Sequence, residues 1–238
     1  MPERADAAEG RPAGDALIVP GSLQVTALAG GNGVLELFAL TLRRGAGGPE
    51  LYAALRNAGD VPACHAAFAV ELFDRTGESL AAGISGLLTQ SFYRLEGDID
   101  AIAACVAPRD VTMTAIMDLP ADLVLEDVGH AIYRCPYFAL DVEAIGGLDV
   151  ARLERVEASS GARFAGTLVN GLDVAVSNPS ITVFPVNRVG RPLGAATALG
   201  TVDLPPRGRW TFETSAVDEA GADQLAFPAG ALAVDSSR

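Results

Sequence analysis

The chain has no lysine, so all 17 of its basic residues are arginine. That absence removes Schiff-base chemistry, a Walker A lysine and a Ser-Lys dyad together, because each needs an amine that arginine does not offer. Histidine is nearly as scarce, with His65 and His130 the 2 in the chain. Aromatic residues make up 6%, and no run approaches the roughly 18 apolar residues of a membrane-spanning helix. Long helices are also disfavoured, since 26 glycines and 14 prolines punctuate the 238 residues. Positive charge is in short supply too: the net charge is −13 and the pI about 4.5. A nucleic-acid backbone is repelled by such a surface, so no nucleic-acid partner is expected.

What remains is a chain that is 50% hydrophobic and patterned for strands. In ELYAALRN, Leu51, Ala53 and Leu55 alternate with Tyr52, Ala54 and Arg56, the period of a strand with one face inward. Asn57, Gly59, Asp60 and Pro62 then form a turn, after which Phe68, Val70 and Leu72 alternate with Ala69, Glu71 and Phe73. Asp74-Arg75-Thr76-Gly77 supplies a tight turn, and the chain returns from Leu80 as the antiparallel partner. Earlier, residues 22–29 and 34–42 read as a hairpin about Gly30-Gly31-Asn32-Gly33. Later, a helical turn capped by Asp118 or Asp122 is expected before a long closing strand, AIYRCPYFALDVEAI, which Pro136 assigns to an edge or a bulge. His130, beside Gly129, reads as a loop residue.

Sliding the chain along itself by 113 residues puts Leu55 on Leu168, Asn57 on Asn170, Val70 on Val183 and Gly77 on Gly190 without a gap. Turn asparagines, turn glycines and inward positions are what a fold constrains most, so the matches point to a duplicated unit. A second register, with Ala107-Pro108-Arg109 on Pro205-Pro206-Arg207, is offset by 98 and implies an insertion of 15 residues in the first copy. The expected architecture is all-β, two tandem immunoglobulin-like antiparallel β-sandwich modules. A flexible leader over residues 1–20 precedes a first module, 21–146, carrying the insertion near 89–104. Gly146-Gly147 marks the boundary, and the second module spans 148–238.

Val70-Glu71-Leu72-Phe73-Asp74, preceded by RNAGDVP and followed by TGES, resembles the FxLYD module of bacterial envelope proteins. Val70 stands for the leading Phe and Phe73 for the Tyr; the second copy, Val183-Phe184-Pro185-Val186-Asn187, keeps the spacing and the following Gly190. The resemblance implies a small β-sandwich in a secreted or envelope-associated protein, and it brings no catalytic residues. The first 20 residues lack a signal peptide's apolar segment, so either the protein is cytoplasmic or its signal segment lies outside this sequence. The envelope-type pattern favours the second.

Three cysteines, Cys64, Cys105 and Cys135, fall in the first module. If the strand reading holds, Cys64 and Cys105 lie at the same end of the sandwich and pair, clamping the insertion; Cys105 with Cys135 is the alternative. Cys64, His65, Met113 and Met117 form a candidate soft-metal set, since thiolate, imidazole and thioether suit Cu(I). Asp98 and Asp100, beside Glu96 in the insertion, form a candidate calcium loop that lacks the remaining oxygen-ligand spacing. Ser85, in Gly83-Ile84-Ser85-Gly86, falls short of a nucleophile elbow. No enzyme and no cofactor are expected. The function this supports is a non-catalytic extracytoplasmic binding or scaffold protein whose partner is another envelope protein or a surface polymer, with extracytoplasmic copper binding as the alternative.

Overall fold

The computed structural model describes residues 17–18, 24–28, 33–45, 47–95, 102–140, 142–159 and 161–233. The strands of the first part are β1 (Leu17–Ile18), β2 (Gln24–Ala27), β3 (Leu35–Gly45), β4 (Gly48–Asn57), β5 (Ala63–Cys64) and β6 (Ala67–Asp74). They continue with β7 (Ser79–Gly86), β8 (Ser91–Leu95), β9 (Ile102–Val106), β10 (Val111–Ile116) and β11 (Val128–Arg134). The long β12 (Val142–Ala158) leads into β13 (Gly161–Asn170), β14 (Val176–Val186), β15 (Ala196–Leu199) and β16 (Asp203–Leu204). Last come β17 (Arg209–Glu213), β18 (Gln224–Ala226) and β19 (Ala229–Ala233).

In the N-terminal half, the sheet β1-β3-β4-β10 packs over the sheet β2-β11-β6-β7. Leu51, Leu55, Phe68, Val70 and Leu72 fill the space between, as their period-2 spacing requires. In the C-terminal half, β17-β13-β12 packs over the strands paired with β14, burying Leu168, Ile181 and Phe212. The architecture is thus all-β and sandwich-like. Almost every residue of β4 is buried, on both of its faces, which marks it as covered by protein on each side.

Residues 113 apart occupy matching places. Leu35 faces Asn57 where β3 meets β4, with a register shift between Leu37 and Ala39. Leu148 faces Asn170 where β12 meets β13, with the shift between Val150 and Arg152. Asn57, fully buried, donates through Nδ2 to the carbonyls of Val61 (2.8 Å) and Val106 (3.0 Å) and accepts from the Gly59 N–H (3.0 Å). Asn170, also fully buried, donates to the carbonyls of Val174 (2.8 Å), Leu204 (2.9 Å) and Pro205 (3.1 Å) and accepts from the Leu172 N–H (3.0 Å). Asp74 Oδ1 accepts from the N–H groups of Thr76 and Glu78, and Asn187 Oδ1 from those of Val189 and Arg191. Both turns close on a glycine at positive φ, Gly77 (91°) and Gly190 (77°), where a side chain would be strained. The 98-residue offset recurs as well, with Thr112 opposite Leu55 and Trp210 opposite Leu168.

Several local expectations change. β2 is not the hairpin partner of β3: it pairs in parallel with β11, while β3 lies in the opposing sheet beside β1. Alternation shows that a segment is a strand and says nothing about its partner; the intended turn, 30–32, lies outside the described residues. The closing strand is two strands, because β11 stops at Arg134 before Pro136 and β12 begins at Val142. His130 sits on β11, its ring stacked on Phe73 with centroids 4.8 Å apart, rather than in a loop. The helical turn is a 3-10 segment at Leu125–Asp127, and neither Asp118 nor Asp122 caps it: Val124 takes the cap position with no side-chain hydrogen bond.

Gly146 and Gly147 sit inside β12, not in a linker. There the strand's partner passes from β8 to β13. A Cβ on Gly147 would come within 2.4 Å of the Gln90 carbonyl oxygen, so the close approach of the chains demands glycine. The described part of the insertion is strand, with β8 and β9 paired antiparallel, and this pair stitches the halves together; residues 96–101 lie outside the described residues. Phe92 enters the C-terminal core beside Leu148 and Leu168, while Tyr93 packs with Cys64, Ala103 and Cys105.

Candidate functional site

The two sheets whose outer faces matter are related by the 113-residue offset, and they are treated differently. On the outer face of β14, Phe184 and Val186 join Ala195 and Ala226 in a buried cluster with Ala39, Tyr52, Ala54 and Met113 of β3, β4 and β10. This is where the C-terminal half docks on the N-terminal half. Tyr52 and Phe184 meet edge to face, with centroids 6.5 Å apart. Polar contacts ring the aromatic pair. Thr41 Oγ1 donates to the Pro192 carbonyl (2.6 Å), and Arg43 donates to the Leu193 carbonyl (2.5 Å) and to Glu50 (3.2 Å). The Tyr52 hydroxyl donates to Glu50 (2.5 Å); burial, reinforced by that carboxylate, pushes the phenol above its usual range.

The counterparts of Phe184, Val186, Ala195 and Ala226 in the N-terminal half are Glu71, Phe73, Ala82 and Ile132. They lie on the outer face of β6, β7 and β11, where Glu71 pairs with Ala82 on one side and Ile132 on the other. Nothing covers this face within the described residues. Ile84 is 61% exposed and Leu28 48% exposed, and with Glu71, Ala82, Ile132 and Arg134 they line a hollow of about 500 Å³. Glu71 is held by the Ser79 hydroxyl (2.6 Å), and Asp118 stands at the rim. The surface is apolar with one acidic group near its centre and one basic group at its side. Such a face is suited to holding another protein surface, and isolated exposed leucines or isoleucines would not have singled it out.

The residues expected from sequence to carry chemistry are dispersed. Cys64 and Cys105 face each other across β5 and β9 and form the disulfide. The sulfur of Cys64 is therefore not a thiolate ligand, which removes it from the soft-metal set. His65 stands beside it with its ring against Phe138, at 6.3 Å. Met113 lies in the cluster between the halves, and Met117, beyond the end of β10, is 53% exposed. Asp98 and Asp100 lie outside the described residues. Among the described residues, no three His, Cys, Asp or Glu side chains are grouped to hold a metal ion. Cys135 is buried outside the disulfide, and burial pushes its thiol up to about 12. Ser85 Oγ accepts from the Thr114 hydroxyl at 2.8 Å, a hydroxyl partner and not a base.

Two features escaped the sequence reading. The Arg43–Glu50–Tyr52 set had a faint signal, apolar and aromatic residues at both parities of ELYAAL, which a half-solvated strand does not need. The exposed face of β6, β7 and β11 had none.

No family model and no curated protein sequence matches the chain. Among solved structures, one described as the crystal structure of red sea bream transglutaminase is similar over 84% of this chain, at 8% identity and a TM-score of 0.21. The chain spans 31% of that protein's length.

Proposed function

We propose that this chain is a non-catalytic binding or scaffold protein of an extracytoplasmic, oxidising compartment, built from two copies of one β-sandwich unit. Its recognition surface is the outer face of β6, β7 and β11. One observation carries this reading: the equivalent face of the C-terminal half, Phe184 and Val186 included, is already used to hold protein. The matched Asn57 and Asn170 networks and the matched turns at Asp74 and Asn187 support the duplication. The disulfide supports the compartment, because such bonds persist where thiols are not kept reduced. No helix among the described residues is long and apolar enough to cross a membrane. The FxLYD-like pattern around Glu71 and Phe73 fits the same reading, with another envelope protein or a surface polymer as partner.

The test places a photo-reactive residue at position 84 and, as control, at Val189, which is 70% exposed on the turn after β14. Irradiation in producing cells gives a discrete adduct from position 84 alone. Equal adducts from both positions, or none from position 84, overturn the reading.

A further inference from the structure

We infer that the protein recognised by the β6–β7–β11 face is a second copy of this chain, which presents the outer face of β12, β13 and β17. The inference rests on the recognition surface just described and names its occupant. Inside one molecule, the outer face of β3, β4 and β10 receives the outer face of β14 and its neighbours. The 113- and 98-residue offsets carry each side of that contact onto a surface that is bare. At 113 residues Phe184, Val186 and Ala195 map onto Glu71, Phe73 and Ala82; Ala226, which pairs with Phe184, has its place taken by Ile132, which pairs with Glu71. Ala39, Tyr52, Ala54 and Met113 map onto Arg152, Ala165, Thr167 and Thr211, whose strands pair as their counterparts do. Placing a second molecule by the same relation brings these two bare faces together.

The substitutions across the two faces compensate in charge. Where the internal contact has Phe184, the bare face has Glu71, with Asp118 at its rim. Where the internal contact has Ala39 and Glu50, and beside it the exposed Val111, the opposing bare face has Arg152, Arg163 and Arg209; where the contact has Thr41 and Ala115, that face has Glu154 and Glu213. An acid gained on one side meets three guanidinium groups and two carboxylates on the other, a patch of net positive charge in a chain whose net charge is −13. Arg152 and Arg163 are engaged by Glu154 and Glu213 within their own sheet, but all four side chains are exposed. Pairs of that kind exchange partners at little cost. Ala165 replaces Tyr52 and Glu71 replaces Phe184, so smaller side chains leave room around the carboxylate. The contact is more polar than the internal one and therefore weaker and salt-sensitive. It is also head to tail, so copies add end to end, into a ring where the rotation between them closes and into a filament where it does not.

Sedimentation velocity across a concentration series tests this at low and at high ionic strength. The wild type gains mass with concentration at low salt and loses that gain at high salt. Glu71→Arg, or Arg163→Glu with Arg209→Glu, weakens association at least about tenfold while leaving the melting temperature unchanged. Mixing the two variants restores association, because each then offers the other a charge-matched face. A wild type that stays monomeric throughout overturns the inference, as does association that neither variant affects. A position-84 adduct with a different protein, from a monomeric chain, overturns this inference alone and leaves the recognition surface standing.

Discussion

Removing the amide of Asn57 or of Asn170 tests whether the two matched turns are held as described. Asn57→Ala strips partners from the Gly59 N–H and from the carbonyls of Val61 and Val106. Only the bond to Val106 is fully buried, since Val61 is 44% exposed and water can reach nearby. A buried unsatisfied group costs about 1–3 kcal/mol and one that regains water much less, so the loss is about 3 kcal/mol. Asn170→Ala strips four groups, of which the Leu204 carbonyl and the Leu172 N–H are both buried. Its loss is about 4–5 kcal/mol, a large share of a typical stability of about 5–15 kcal/mol. The two sets share no partner, so the double variant sums the singles to within about 0.5 kcal/mol. Urea titration followed by circular dichroism, with unchanged slope, reads each value. Asn170→Asp adds a sign test. Facing three carbonyls, the new carboxyl has a raised folded pKa, so its deficit is full above that value and shrinks as pH falls toward the unfolded one. A cost below about 1 kcal/mol for either alanine variant, or an Asn57 loss exceeding the Asn170 loss, refutes the reasoning.

Cys64→Ala with Cys105→Ala opens a loop whose ends are 41 residues apart and lowers stability by about 4 kcal/mol in the same titration, an effect matched by reducing the wild type. Tyr52→Ala and Phe184→Ala each cost about 3–5 kcal/mol, and a double-mutant cycle between them returns a coupling of about 1 kcal/mol. Absence of coupling would mean the halves are not joined through that pair. Hydrogen bonds from the Glu78 N–H, then from the Thr76 hydroxyl, hold the Asp74 carboxyl below its ordinary range. A depressed acid stabilises above its unfolded pKa, and this contribution fades as pH falls through the folded value. Asp74→Asn, which copies Asn187, therefore removes that acid-limb dependence while keeping the turn; thermal melts from neutral to acidic pH show the wild-type and variant curves converging as the pH drops.

Which strands exist was legible because local signals suffice for it. The Asn57 turn, the Asp74 turn and the alternation of Phe68, Val70 and Leu72 each dictate a conformation within a few residues. The Cys64–Cys105 pairing was within reach for the same reason, once both were placed at one end of the sheet pair. What depends on distant partners was not legible. β2 is a strand in either arrangement, and only the packing of β11 against it decides that it pairs in parallel there. Phe92 and Tyr93 read as features of a loop, and only the register of β8 on β12 shows that they point into different clusters. The bare outer face of β6, β7 and β11 was hidden most thoroughly, because a strand that alternates Leu72 with Glu71 and Phe73 looks the same whether its outer side meets solvent or a neighbour.

β12 has a mechanical consequence. One strand, hydrogen-bonded first to β8 and then to β13, carries the backbone from one half into the other. Tension applied between the halves would load those ladders lengthwise, in shear, rather than peel them open one rung at a time. Among the described residues the crossing between the halves is extended strand and not linker, so its span is that of a stretched backbone.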